Sequence, residues 1–156
     1  MKISCIVPVY NNETTLEHVL SVLTSIDEID EVIVGDDASS DKSYKIAQEF
    51  GSKIRLFRNE KNLGKGGNVV KGIKMSKGDV LFFCDADLSK LDKKHVMNLI
   101  NTFKDGNYDM VIGASGGEST CVRAGIRSCS RLRNWRVAVV VAVVVVVVVD
   151  VVLVAA

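Results

Sequence analysis

Short apolar runs alternate with amphipathic stretches along the chain as far as residue 113. The run "KISCIVPV" (2–9) is apolar almost throughout, the pattern of a strand covered on both faces. In "ETTLEHVLSVLTSI" (13–26), Leu16, Val19, Leu20 and Leu23 recur every three to four residues and mark one stripe of a helix. The same alternation predicts strands at 31–37, 53–59, 79–85 and 108–114. It predicts helices at 41–50, closed by Gly51, at 66–78, opened and closed by glycines, and at 92–105. Strand and helix in strict turn predict an α/β domain with a mainly parallel sheet and right-handed crossovers. Ligands in such sheets bind beyond the carboxyl ends of the strands, where strand order reverses. With order 3-2-1 and the fourth strand on the other side of the first, the polar ends "PVYNN", "GDDASSD" and "CDADLS" converge.

The 156 residues suffice for one domain with a proper core. A net charge of +1 provides no basic field, which argues against nucleic acid as a partner. "MKISCIVPV" is too short, and ends too early on Pro8, for an export signal. Cys5, Cys84, Cys121 and Cys129 lack metal-like spacing. Cys5 and Cys84 lie in apolar runs, as reduced core residues of a cytoplasmic protein do. The end of the chain breaks the pattern. Every lysine lies at or before Lys104, whereas 118–136 is rich in arginine. Residues 137–156 are nearly pure valine and alanine, with Asp150 among them. That tract reads either as a membrane span flanked by Arg131, Arg133 and Arg136, or as sequence foreign to the protein. The expected organisation is a domain over 1–117, an Arg-rich segment over 118–136 and the Val/Ala tract over 137–156.

The chemistry concentrates in acids at strand ends. Asp36, Asp37, Asp85 and Asp87 are expected at one crevice, and two such charges ~6 Å apart repel by about 3 kcal/mol at an effective dielectric of ~20. A cation or a hydrogen-bonding ligand relieves that repulsion. In an extended segment Asp85 and Asp87 face one side, with Ala86 leaving room between them. Their hard oxygens suit Mg²⁺ or Mn²⁺ shared with substrate phosphates; the plainer alternative is a solvated turn before a helix. Asp36 and Asp37 are placed to accept from a base N–H or a ribose hydroxyl, or else form a turn, with Ser40 or Asp41 capping the next helix. Tyr10 is a stacking surface beside Pro8, or an ordinary strand-end aromatic. "NLGKGGNVVKG" (62–72) permits close backbone approach to an anion at a helix start but lacks the Walker A order; alone, a glycine-rich turn explains it. His18 and His95 lie in helices without ligand-spaced partners.

Together, "IVPVYNNETTLEHVLSVL", "EVIVGDDASSDKS", "NEKNLGKGGNVVKGIKMSKGDVLFFCDADL" and "YDMVIGA" resemble, in order and spacing, a family 2 glycosyltransferase of the Rossmann-like GT-A fold. The resemblance covers about residues 3–114. "GKGG" followed by "DADL" is similar to the branch that glycosylates polyprenyl or dolichyl phosphates. The resemblance implies an inverting transfer from a UDP- or GDP-type sugar to a lipid phosphate or a growing glycan, at the cytoplasmic face of a membrane. It implies that Pro8, Tyr10, Asn12, Glu13, Asp36 and Asp37 hold the nucleoside, with Asp37 on the base. It also implies that Gly64, Lys65, Gly66 and Gly67 lie near the diphosphate. The resemblance further implies that Asp85, Ala86 and Asp87 form a DxD motif, with Asp85 and Asp87 as metal ligands.

The chain departs from the family pattern in three places. Asn12 stands where an acid often follows Tyr-Asn. "GAS" (113–115) lacks the acceptor-phosphate arginine that many polyprenyl-phosphate members carry, leaving Arg123, Arg127 or Arg131 as substitutes. No acceptor half or general base is recognisable. The alternative is therefore a non-catalytic nucleotide-sugar-binding fragment. A receiver domain fits poorly, because its acidic pair should follow strand one and a lysine should follow strand five.

Overall fold

A computed structural model describes residues 1–106, 110–114 and 138–143. Six strands form one parallel sheet: β1 (Ile3–Val9), β2 (Glu31–Asp36), β3 (Arg55–Arg58), β4 (Val80–Cys84), β5 (Met110–Ala114) and β6 (Ala138–Val143). Their order is β3-β2-β1-β4-β6-β5. The helices are α1 (Leu16–Leu23), α2 (Ser43–Glu49), α3 (Gly64–Met75) and α4 (Lys93–Asp105). As the alternation predicts, β1 is central and pairs with β2 on one side and β4 on the other.

β1 shows why the apolar run is continuous. Ile3, Cys5, Val7 and Val9 join the larger core with Leu16, Val19, Leu20 and Leu23 of α1 and Val96, Leu99 and Ile100 of α4. Ile6, one residue out of phase, joins Ile33 and Leu81 in a smaller core on the other face, with Ile73 of α3 packed against it. Successive residues of a strand point to opposite faces, so both faces must be apolar when both carry helices. Each buried leucine of α1 contributes about 1.5–3 kcal/mol of burial.

Some boundaries move. α1 begins at Leu16 rather than 13; its N-cap residue Thr15 makes no side-chain cap, and its hydroxyl donates instead to the Ala86 carbonyl at 2.7 Å. α3 begins at Gly64 rather than 66. α4 is opened by Asp92, which accepts from Lys94 N–H, while His95 Nδ1 accepts from Asp92 N–H. His18 Nε2 contacts the Leu91 carbonyl at 2.8 Å and so holds α1 against the turn that precedes α4.

Within the Val/Ala tract, Ala138–Val143 forms β6, between β4 and β5. β-branched valine favours extended backbone, and an apolar run suits an interior parallel strand. Among the described residues no helix is long and apolar enough to cross a membrane. The segment 118–136, with Arg123, Arg127 and Arg131, lies outside the described residues, as do Cys121, Cys129 and the remainder of the tract.

At the opposite edge from the strands' carboxyl ends, Glu31 ties three elements together. It accepts from the Ser4 hydroxyl and the Lys77 N–H, each at 2.6 Å, and from Arg55 Nη1 at 2.9 Å. Burial alone would raise its pKa, but these donors outweigh burial and hold it below the ordinary glutamate value. A lowered folded pKa adds stability above the unfolded value, lost as pH falls through the folded one. Glu31→Gln is therefore expected to cost about 1–3 kcal/mol at pH 7. The gap to wild type should close in urea unfolding series taken below the glutamate range; a gap constant down to strong acid would contradict this.

Candidate active site

The carboxyl ends of β1, β2 and β4 open onto a cleft of about 320 Å³ lined by Pro8, Tyr10, Asn12, Asp37, Lys65, Asn68, Asp85 and Asp87, among others. The wall on the β2 side is rigid. Asp37 is 3% exposed, and its N–H donates to the Val9 carbonyl at 2.8 Å. Its Oδ1 accepts from Asn59 Nδ2 at 2.8 Å and from Leu63 N–H at 2.9 Å, which leaves Oδ2 without a donor among the described residues. Asn59 is held in turn by Lys71 Nζ at 2.9 Å, and Asn68 donates to the Gly35 carbonyl at 2.6 Å. A carboxylate fixed through one oxygen has its second ordered as well, and Asp37 lines the cleft.

The neighbouring acid has a different task. Asp36 is fully buried, with Oδ2 3.1 Å from Arg58 Nε and accepting from Ser39 N–H, while Oδ1 has no partner. Arg58 also lies over the Tyr44 ring at 4.6 Å. Asp36 therefore braces β2 against β3, its register partner being Arg58. It does not line the cleft.

A zipper of side-chain-to-backbone bonds joins the loop after β1 to the loop after β2. Asn11 N–H donates to Ser39 Oγ, Asn12 N–H to Ser43 Oγ and Glu13 N–H to Asp41 Oδ2. In the reverse direction, Ser40 N–H donates to Asn11 Oδ1 and Lys42 N–H to Glu13 Oε2. Burial would raise the Asp41 carboxyl, but the Ser43 hydroxyl and the N–H groups of Ser43 and Glu13 outweigh it and hold the pKa down. Glu13 is thus committed to this zipper and lies outside the cleft lining, whereas Asn12 lies within it. Ala38, between the two acids and the serines, has φ 61. A left-handed alanine costs about 1–2 kcal/mol, part of which glycine would give back as chain entropy. Ala38→Gly should raise the unfolding free energy by about 0.5–1 kcal/mol in urea titration; a loss of stability would show that Ala38 is not strained.

On the β4 side, Asp85 and Asp87 both line the cleft, but not on an extended segment. The chain turns at Ala86 and Asp87, and Ala86 is 2% exposed, packed inward rather than leaving space. Asp85 Oδ1 is 2.7 Å from Lys65 Nζ. Cys84 lies just before the acids; burial, with Asp85 and Asp87 adding to it, pushes its thiol up to about 12. Its thiol lies 3.7 Å from the Asp85 carbonyl. Among the described residues no group of three or more His, Cys, Asp or Glu side chains could hold a metal. Asp85 and Asp87 still fit a divalent cation, since Asp85 already attracts an ammonium and Mg²⁺ is commonly held by one or two carboxylates plus phosphates and water.

Of the glycines before and within α3, Gly64 lines the cleft with φ +75, and its N–H donates to Asn62 Oδ1. Gly66 and Gly67 lie in the first turn of α3, outside the lining. Sequence reasoning misses Val9, Asn62 and Asn68. Gly35, inside an apolar strand, is the available signal for Asn68, because such a glycine marks the close approach of another group.

The cleft, of about 320 Å³, has a fixed acceptor on one wall and two acids on the other. The sequence profile described as glycosyl transferase family 2 matches residues 4–136. The chain belongs to this family. It is 35% identical over 118 residues to the dolichol-phosphate mannosyltransferase of Pyrococcus furiosus, a match covering 73% of this chain and 33% of that protein. It is 39% identical over 100 residues to human dolichyl-phosphate beta-glucosyltransferase, covering 55% of this chain and 31% of that one. The family 2 chain therefore spans about a third of each of these relatives. Among solved structures it is similar to glucosyl-3-phosphoglycerate synthase from Mycobacterium tuberculosis in complex with UDP, with TM-score 0.63 and 26% identity, covering 76% of this chain and 45% of that one. Another structure of that synthase holds Mn²⁺, UDP and glucosyl-3-phosphoglycerate, and has TM-score 0.62 at 27% identity, covering 73% of this chain and 43% of that one.

Proposed function

We propose that this chain forms the donor side of an inverting glycosyl transfer from a UDP- or GDP-type sugar to a polyprenyl phosphate or a growing glycan. The observation that carries the reading is the placing of Asp37 and the Asp85/Asp87 pair on opposite walls of one cleft. Asp37, held through Oδ1, offers Oδ2 to a base N–H. Tyr10, 51% exposed at the cleft, provides a face for the base, and Pro8 stiffens the strand end beneath it. Asp36 and Glu13 act indirectly, by holding the loops that carry Asp37 and Asn12.

Asp85 and Asp87 would hold the diphosphate through Mg²⁺ or Mn²⁺. Such an ion supplies Lewis-acid stabilisation of charge on the departing nucleoside diphosphate. Lys65 and the start of α3 add positive potential at the same end of the cleft. A phosphate acceptor is already anionic, so attack on the anomeric carbon needs no base to remove a proton. Displacement from the face opposite the leaving group inverts that centre. The named activities of the relatives support a lipid-phosphate acceptor, which would put the reaction at the cytoplasmic face of a membrane.

The test is calorimetric titration of the purified chain with UDP and with GDP, with and without Mn²⁺. One nucleotide should bind in a metal-dependent way, and chelation should reverse it. Failure of both to bind a folded sample would refute the proposal. Binding without transfer to a polyprenyl phosphate would leave the donor site standing and remove the transferase reading for this chain.

A further inference from the structure

The Lys65–Asp85 contact is a pairing that donor binding alone does not require. The ammonium lies 2.7 Å from Asp85 Oδ1, and no other donor reaches that carboxylate among the described residues. Asp85 is sheltered, its side chain 17% exposed, whereas the Lys65 side chain is 66% exposed and free along most of its length. Lys65 is flanked by Gly64 at φ +75 and by Gly66, and a Cβ at either glycine would meet nothing within 4 Å. Its immediate surroundings therefore leave the side chain room to swing.

Resting on the metal site proposed above, we infer that Lys65 is an internal counter-cation competing with the divalent ion for Asp85. The ammonium neutralises Asp85 until a nucleoside diphosphate draws it away, so metal and nucleotide enter together rather than metal first. Two positive charges cannot share one carboxylate oxygen without strong repulsion. Among the described residues no third acid, histidine or cysteine completes a site, so a metal ion alone has only two carboxylates there, one of them already paired. A diphosphate changes both sides of this competition. It contributes further metal ligands, and it gives the lysine a stronger anion to contact.

The experiment measures Mn²⁺ binding to the whole chain by the spin-resonance signal of free Mn²⁺, with and without UDP or GDP. It compares wild type, Lys65→Gln, Lys65→Arg and the Asp85→Asn, Asp87→Asn double variant. Lys65→Gln should bind Mn²⁺ alone roughly two- to five-fold more tightly than wild type, the range for releasing an exposed ion pair. The same variant should bind nucleotide more weakly without metal, and nucleotide should enhance its Mn²⁺ affinity less than in wild type. Lys65→Arg should restore the wild-type pattern. Unchanged or weaker Mn²⁺ binding in Lys65→Gln, while the double variant loses Mn²⁺, overturns this inference alone. Equal Mn²⁺ binding by wild type and the double variant overturns the metal site and the inference with it.

Discussion

The Asp85→Asn, Asp87→Asn double variant should lose the metal-dependent part of nucleotide affinity, a fall of at least about 100-fold in the presence of Mn²⁺, or about 2.7 kcal/mol. Asparagine keeps the shape of both side chains, so the turn at Ala86 and the Thr15 bond to its carbonyl should survive. Affinity measured in chelator should change little or improve, because two negative charges have been removed from beside the diphosphate. This opposite response with and without metal separates a lost ion site from a damaged fold. Calorimetry in both conditions, with a melting curve for each protein, reads it directly. A variant still responding to Mn²⁺ as wild type does would remove Asp85 and Asp87 from the metal site.

Gly35→Ala should be strongly damaging to the sheet. A Cβ there would lie 2.3 Å from Asn68 Oδ1 and 2.4 Å from Phe57 Cζ. Asn68 is 1% exposed and donates to the Gly35 carbonyl, so moving it breaks a buried bond as well as relieving the clash. Overpacking together with a stranded polar group should cost at least about 3 kcal/mol. Gly66→Ala is the natural comparison. Nothing lies within 4 Å of its added Cβ, and alanine is the better helix former by about 1 kcal/mol. Urea unfolding should therefore separate the two in opposite directions. A Gly35→Ala protein as stable as wild type would mean that α3 can shift away from β2 at little cost.

The alternation of elements was legible because burial imposes it. The apolar stripe of α1 faces one core and the continuous run of β1 faces two, and few other arrangements satisfy both. The acids at the strand ends were also legible as a group, since an acid after a buried strand needs a reason. Their division of labour was not. Asp36 and Asp37 are adjacent and chemically identical, and only pairing with β3 decides that Asp36 meets Arg58 while Asp37 reaches the cleft. The turn at Ala86 likewise depends on tertiary structure, because the Thr15 hydroxyl that holds its carbonyl is 71 residues away. Asn59 was invisible for the same reason. An amide side chain carries no sign of which carboxylate it will hold. The valine tract is ambiguous in another way, since its composition suits a membrane and an inner strand equally well.

The zipper between the loops after β1 and β2 bears on how substitutions here should be interpreted. In the sequence, Asn11, Glu13, Ser39, Asp41 and Ser43 look like interchangeable polar residues. Each, however, accepts from a backbone N–H of the facing loop. In a saturation-mutagenesis profile these positions should therefore behave like an interior, intolerant even of conservative exchange. Ser39 and Ser43 are buried, but Asn11 and Glu13 are exposed, and a survey that ranked tolerance by solvent exposure alone would mistake those two for dispensable sequence.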